Sequence, residues 1–489
     1  MAKNLMIQGT MSGAGKSILT AGILRVLRQD GYTVAPFKSQ NMALNSFVTA
    51  DGKEMGRAQA VQAAAAGMEP SADMNPILLK PMGDSTSQII VNGKPIGNMR
   101  AADYFKMKKD LIPDIRAAYD RLADRSDIVV IEGAGSPVEI NLRANDIVNM
   151  GLAQILDAPV LLAGNIDPGG VFAQLLGTIT LMSEDEKKRV KGLIINKFRG
   201  DVSLLMPGLD MFKAYCDIPF AGVVPFVPLE LDEEDSVSER LMKRVKTADT
   251  EKTIKISVVR LPYISNYTDF AVLENIPSVN LVYARSCEDM AGSDLIILPG
   301  TKNTLKDLKW LKDSGIFSQI LLEKEKGTLI AGICGGFQML GKNIDDKDCL
   351  EGGGMQEGLG LLPVSTVFSP EKTLQQVTGK IGNLSGAYSS LSGCRVSGYE
   401  IHMGVTDGKD DIYPVIECEN VLGTYMHGIL DSGELCRKLI SIIYDKKGIS
   451  AEVPEVEDAS IRQNRELDKL ADVLRQNLDW DLIYRAIGL

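Results

Sequence analysis

From the N-terminus to about residue 230, short apolar runs rich in β-branched residues alternate with stretches of helical pattern. The runs are "NLMI", "TVAPFK", "DIVVIEGAG", "APVLLAGNID", "VKGLIINKFRGD" and "IPFAGVVPF". This rhythm predicts a parallel sheet covered by helices. Next comes "LELDEEDSVSERLMKRVKTADTEK", charged and poor in large apolar residues, which reads as a surface connection over residues 231–252 between a first domain, 1–230, and a second. A second α/β rhythm over 253–445 includes "TIKISVVRLP", "SDLIILPG" and "GTLIAGICGG". The remainder, 446–489, carries Leu467, Leu470, Leu474 and Leu478 at spacings of three and four, which predicts an amphipathic helical tail packed onto the body.

The first run leads into "GTMSGAGKS", Gly9 to Ser17, and the helix behind it has Leu19, Ile23, Val26 and Leu27 on one face. Strand, glycine-rich loop and helix form the setting of a phosphate loop. Gly13, Ala14 and Gly15 are small enough for backbone N–H groups to turn inward, and the helix N-terminus adds partial positive charge. Lys16 is placed to reach the β- and γ-phosphates of ATP, and the Ser17 hydroxyl to hold Mg²⁺. Thr10 stands where the first loop glycine is usual, with Gly9 one place earlier, so the loop is a variant. A plain glycine-rich turn with an exposed lysine is the alternative, and the flanking strand and helix weigh against it. A second strand ends at Lys38, and "VVIEGAG" puts Glu132 at another strand end. An acid there is a natural partner for Mg²⁺, although Glu132 could instead cap the next turn.

In the second half, "GICGG" sets Cys334 between glycines where the run "TLIA" meets the helical pattern of "GFQMLGK". Small neighbours permit the strained turn that exposes a nucleophile, and the N–H groups that follow, Gly335 first, can face an oxyanion. A free thiol is mostly protonated at neutral pH and needs a base. The chain has only 2 histidines, His402 in "GYEIHMG" and His427 in "GTYMHGIL". His427 is the better candidate, and His402 is equally readable as a core residue. The turn "LPGTKNT" offers the Gly300 amide as a second oxyanion donor. Triad-class glutamine amidotransferases usually carry a glutamate two residues past the histidine, and here that place is Ile429. Glu400 is the remaining guess for the group that orients His427.

Composition narrows the function classes. The chain has 489 residues, 45% of them apolar, and a formal net charge of -11. It offers neither a basic field nor a Lys/Arg cluster with interleaved aromatics, so nucleic acid is not an expected partner. No apolar stretch approaches the roughly 18 residues of a membrane span, and the start lacks the layout of a signal peptide. Seven cysteines without a C-x-x-C pair point to reduced thiols in the cytoplasm.

The "GT-x(4)-GKS" spacing, with a lysine after the second strand and "EGAG" after a later one, resembles dethiobiotin synthetase and its relatives, in which ATP phosphorylates a carboxyl or carbamate oxygen. The fuller set of motifs resembles the cobyric acid synthases, the glutamine-dependent amidotransferases of corrinoid biosynthesis. It comprises "PFKSQNMALNS", "EMGRAQAVQAAAAGMEPSADMNPILLKP", "VIEGAGSPVEINLRANDIVNMGLA", "NKFRGD", "GICGGFQMLG", "GYEIHMG" and "GTYMHG". The resemblance implies a P-loop domain of dethiobiotin-synthetase type followed by a triad-type amidotransferase domain, both α/β. It further implies amidation of the b, d, e and g carboxylates of cobyrinic acid a,c-diamide through acyl phosphates, with ATP, Mg²⁺, glutamine and a small-molecule corrinoid as reactants. Cys334 is then the nucleophile and His427 its base, Lys38 lies near the transferred phosphoryl group, and Asn196 contacts adenine or else caps its strand. Absence of the distal glutamate is typical of this family.

Asn165 and Pro168 replace an acid and an arginine common in the family, and Tyr263 replaces another arginine; these departures bear on corrinoid contacts. A cobyrinic acid a,c-diamide synthase is the near rival. A P-loop ATPase switch with an inactive glutaminase-like domain is the remote one, and Met11 lacks the signature lysine of such switches. The sequence is compatible with a homo-oligomer.

Overall fold

The apolar runs of the first half become the strands of one parallel sheet in the computed structural model, which describes residues 2–83, 85–231, 254–408 and 414–489. They are β1 (Lys3–Gly9), β2 (Val34–Phe37), β3 (Ile128–Glu132), β4 (Val160–Asn165), β5 (Val190–Phe198) and β6 (Phe220–Pro225). Their spatial order is β6-β5-β4-β1-β3-β2, with every pair parallel. β3 and β4 are buried at every position, and for that reason their sequences have no polar face. The order changes direction at β1, and a crevice opens at such a point beyond the carboxyl ends of the strands. α1 (Lys16–Gln29) and α2 (Arg57–Ala66) pack on this unit. A four-stranded sheet, in which Gln40–Met42 runs parallel to Ile77–Gly83 and Thr86–Val91 and Lys94–Arg100 follow antiparallel, interrupts the rhythm, and the sequence reading did not separate it from its surroundings.

The chain divides into two compact units, the first comprising Met1–Thr49, Lys53–Ser236 and Arg462–Leu489. The first unit is therefore discontinuous, whereas residues 1–230 were expected to form it without the C-terminal segment. The linker expected over 231–252 lies, beyond Leu231, outside the described residues. The helix Ala459–Asn477 docks Leu467, Leu470 and Leu474 into the core that holds Leu19, Ile23 and Val26 of α1. Gly22 makes the approach feasible, since a Cβ there would lie 2.4 Å from Leu474 Cδ1. Arg25–Asp468 at 2.7 Å and Arg475–Asp30 at 2.6 Å flank the contact. Such half-exposed pairs contribute at most about 1 kcal/mol, and each buried leucine roughly 1.5–3 kcal/mol. The leucine stripe therefore dominates the docking.

The second unit comprises Ala50–Gly52 and Val237–Ile461. Its main sheet contains β7 (Ile254–Val259), β8 (Val279–Ala284), β9 (Leu295–Leu298), β10 (Leu329–Ile333), β11 (Val415–Cys418) and β12 (Val421–Thr424). The order is β8-β7-β9-β10-β12-β11, parallel except for the edge pair β11 and β12. A long antiparallel pair, Thr366–Lys380 with Arg395–Thr406, belongs to a second sheet. α3 (Thr304–Asp313) follows the turn after β9, and α4 (Gly335–Leu340) follows β10. Among the described residues, no helix is long and apolar enough to cross a membrane. The seven cysteines are free thiols.

Candidate functional site

The loop after β1 is braced from the ends of β4 and β5. Asn165 Nδ2 donates to Gly13 O at 3.1 Å, and Asn196 Nδ2 donates to Ala14 O at 2.9 Å. Gly15 has φ 84°, and a Cβ there would lie 2.3 Å from Asn196 Nδ2, so both conformation and space call for glycine. Thr10 is held away from the loop centre, its N–H bound to Ala163 O at 2.9 Å and its hydroxyl to Gln174 Oε1 at 3.2 Å. The first turn of α1 carries no acidic residue, which leaves its positive end to an anion. Lys16 folds back over the loop, donating to Met11 O at 3.0 Å and Gly135 O at 3.1 Å. Asn165, read as a departure that bears on corrinoid contacts, thus touches the loop itself.

Sheet register brings Glu132 to the same place. Ile7 of β1 lies beside Glu132, and Phe37 of β2 pairs with Ile131, so Lys38 and the phosphate loop both leave the sheet next to this carboxylate. Glu132 Oε1 accepts from the Ser17 hydroxyl at 2.7 Å and from Lys38 Nζ at 2.9 Å. Burial alone would raise its pKa, but the Lys38 charge and the hydrogen bonds from Lys38, Ser17 and Gln62 hold it below the usual carboxylate range. A hydroxyl and an ionised carboxylate in contact at a phosphate loop are the hard oxygen donors that Mg²⁺ takes alongside phosphate and water, so Ser17 and Glu132 fit that ion. Asn196 is seen bracing the loop; its side chain meets Ala14.

In the second unit, β10 and β12 are neighbours in register, with Ile333 beside Thr424 and Cys334 N–H donating to Thr424 O at 2.8 Å. The chain therefore leaves two adjacent strand ends at Cys334 and toward His427. Cys334 has φ 53° and ψ −110°, a conformation that costs a non-glycine residue about 1–3 kcal/mol and is found at functional sites. Its neighbours must be glycine: a Cβ on Gly336 would lie 2.0 Å from Leu298 O, and one on Gly335 2.5 Å from Thr301 Cγ2. Gly300 sits against the imidazole, since its added Cβ would meet His427 Cε1 at 2.9 Å. The turn carrying Gly300 is fastened to the segment after β7 by Ser265 N–H to Gly300 O and by Lys302 N–H to Tyr263 O, both 2.9 Å. Tyr263 thus acts through its backbone at this turn, whatever its side chain does.

The acid that reaches His427 is Asp269, and the guess of Glu400 is corrected accordingly. Asp269 Oδ2 lies 2.7 Å from His427 Nδ1, and Oδ1 accepts from Gly428 N–H at 3.1 Å. Tyr399 stacks on the ring at 5.3 Å. Burial disfavours the imidazolium, but the Asp269 carboxylate and the Cys334 thiol outweigh it and push the His427 pKa up to about 10. Glu400 instead accepts from Gln375 Nε2 at 2.8 Å and lies 3.6 Å from His402 Nε2. His402 stacks on Tyr425 with centroids 3.7 Å apart and meets Gly404 O at 3.1 Å through Nδ1. Both belong to a neighbouring buried polar group. Sequence reasoning passed over Asp269 because it sits 158 positions from its histidine. The segment "YISNYTDF" that contains this acid was notable only for Tyr263.

Residues 5–236 match the family model described as the CobQ/CobB/MinD/ParA nucleotide binding domain, and residues 255–435 match the CobB/CobQ-like glutamine amidotransferase domain. The chain is 52% identical to a cobyric acid synthase of Lachnoclostridium phytofermentans, covering 100% of this chain and 99% of the relative. It is 48% identical to the cobyric acid synthase of Ruminiclostridium cellulolyticum, over 100% of this chain and 97% of that one. It is also 48% identical to the cobyric acid synthase of a Thermoanaerobacter strain, over 100% and 99%.

Proposed function

The chain belongs to the cobyric acid synthase family, and from that premise we propose that it amidates the b, d, e and g carboxylates of cobyrinic acid a,c-diamide in the cytoplasm, using ATP and glutamine. The observation that carries the mechanism is the strained Cys334 on the strand end next to a buried His427 that is bound to Asp269. This assembled site is what a switch with an idle glutaminase fold would not need.

In the first unit a carboxylate oxygen of the corrinoid attacks the γ-phosphorus of ATP, ADP leaves, and an acyl phosphate forms. Ammonia then adds to the acyl carbon and phosphate departs with the C–O bond. Lys16 turns from the Met11 and Gly135 carbonyls to the β- and γ-phosphate oxygens, and Lys38 lies beside the transferred group. Both cations offset charge that grows during transfer. Ser17 and Glu132 would hold Mg²⁺, which when bound would supply further charge neutralisation during transfer. Asn165 and Asn196 keep the loop N–H groups turned inward.

In the second unit the Cys334 sulfur attacks the side-chain carboxamide carbon of glutamine, its proton having passed to His427. The Gly300 and Gly335 amides are the candidate donors to the oxyanion. A histidine held as the cation at neutral pH already carries the proton that the departing nitrogen requires, so ammonia leaves and a thioester remains. Water, deprotonated by His427, releases glutamate and restores the thiol. Asp269 fixes the ring so that Nε2 serves the reaction.

Mass spectrometry of the corrinoid after incubation with ATP, Mg²⁺ and glutamine tests the assignment, because each amidation exchanges a hydroxyl for an amino group. Unchanged cobyrinic acid a,c-diamide would refute it. Asp269→Asn is expected to cut glutamine hydrolysis by about 10²–10⁴-fold, on the scale of orienting acids elsewhere. With only 2 histidines in the chain, NMR of the ring protons gives a direct readout: the His427 titration should move down from about 10. A folded-state pKa raised from 6.5 to about 10 contributes stability that is present below 6.5 and lost as pH climbs to about 10, so the stability gap between wild type and Asp269→Asn should close over that window. A gap that widened with pH would contradict the pairing. His402→Ala, which leaves the Asp269 contact in place, is expected to cost glutamine hydrolysis less than His427→Ala; the reverse ranking in the same assay would overturn the choice of base.

A further inference from the structure

α2 reads RAQAVQAAAA, so its surroundings accept alanine at most positions. Yet it buries Gln59 and Gln62 one turn apart, at 0% and 1% exposure. A buried primary amide is costly unless its hydrogen bonds are made, so two of them on one face of such a helix call for a compensating contact. Gln59 accepts from Asn41 Nδ2 at 3.0 Å. Gln62 reaches the phosphate-loop site: its Nε2 donates to Glu132 Oε2 at 2.5 Å and lies 3.4 Å from Ser17 O. Its Oε1 is buried with no hydrogen-bond partner among the described residues.

These contacts divide the Glu132 carboxylate. Ser17 and Lys38 hold Oε1, and Gln62 holds Oε2. The terminal torsion of a glutamate is broad and soft, and donors on one oxygen leave the other free to swing. A donor on the second oxygen fixes the plane. We propose that Gln62 is a positioning residue for phosphoryl transfer, clamping Glu132 so that its carboxylate meets the Ser17 hydroxyl and a divalent cation in one orientation. The motif "GRAQAVQ" thereby acquires a function: its second glutamine is the fixed wall behind the acid. This rests on the reading of Ser17 and Glu132 as the cation site.

The test uses the full chain with ADP bound and measures Mn²⁺ affinity by electron paramagnetic resonance, beside the Mg²⁺ dependence of ammonium-driven amidation. Gln62→Met keeps length and apolar stem but removes the donor; Gln62→Ala removes the donor in a helix that already carries alanine at most positions, and serves if the first variant fails to fold. Either is expected to weaken Mn²⁺ binding about tenfold, the scale of one hydrogen bond to a charged group, and to raise half-saturating Mg²⁺ by a like factor. Mn²⁺ affinity within twofold of wild type in a folded variant overturns the proposal, including the case where turnover alone falls, since that would mark a packing role. Glu132→Gln separates the two levels of inference. If it weakens Mn²⁺ binding while the Gln62 variants do not, only the clamp is wrong; if neither does, the cation site itself is misplaced.

Discussion

Cys334→Ala is expected to abolish glutamine-dependent amidation, by at least about a thousandfold as for nucleophile removal in other acyl-transfer enzymes, while amidation from a high concentration of ammonium salt persists near the wild-type rate. Alanine keeps the backbone at φ 53° with no new strain beyond what cysteine already bears, and it removes only a sulfur from a site that is 7% exposed. The groups proposed for phosphoryl transfer, Lys16, Lys38, Ser17 and Glu132, are all in the other unit. The variant therefore loses the source of ammonia and retains its use. Mildly alkaline pH favours the rescue because it raises the fraction of free ammonia. Amide formation followed by mass, with each nitrogen source in parallel, measures both. Full activity with glutamine would remove Cys334 from the reaction.

Lys16→Ala should fail with either nitrogen source, by about 10²–10⁴-fold, because it deletes a fixed charge from the transition state of phosphoryl transfer. The loop should survive the change. Asn165 and Asn196 brace it from two strand ends, by hydrogen bonds that do not involve the Lys16 side chain. Glutamine hydrolysis supplies an internal control, since the groups proposed for it, Cys334, His427 and Asp269, belong to the second unit. Isothermal titration with ATP and Mg²⁺ separates weakened binding from slowed transfer. Restoration of amidation by ammonium would reverse the division of labour between the two units.

How much of this was legible beforehand depends on the range of each interaction. The parallel strands announced themselves because strands buried on both faces leave unbroken apolar runs, as in "DIVVIEG" and "APVLLAGN". The phosphate loop and the cysteine elbow were legible for a related reason. Their chemistry lies in a few consecutive residues whose small side chains are required by close backbone contacts, as at Gly15 against Asn196 and Gly336 against Leu298. The leucine stripe from Leu467 to Leu478 revealed a buried helix face, yet not its destination: an apolar stripe fits any apolar surface, and Gly22 on α1 supplied the closest one.

The acid on His427 and the amide on Glu132 were outside the reach of sequence reading. Asp269 meets its histidine across 158 residues, and Gln62 meets Glu132 across 70. Neither spacing has a local period, and α2, mostly alanine, gives no amphipathic signal to mark its glutamines as inward. Glu400 looked nearer to His427 in the chain, but it lies within a strand facing His402 and Gln375. The sequence by itself therefore determined the parallel strands, the loop and the elbow and singled out the groups proposed to react, because each is encoded by neighbouring residues. The tertiary structure alone decided which acid orients the base and which helix steadies the carboxylate, because those pairings follow from the order in which strands assemble and the ends that this order places side by side.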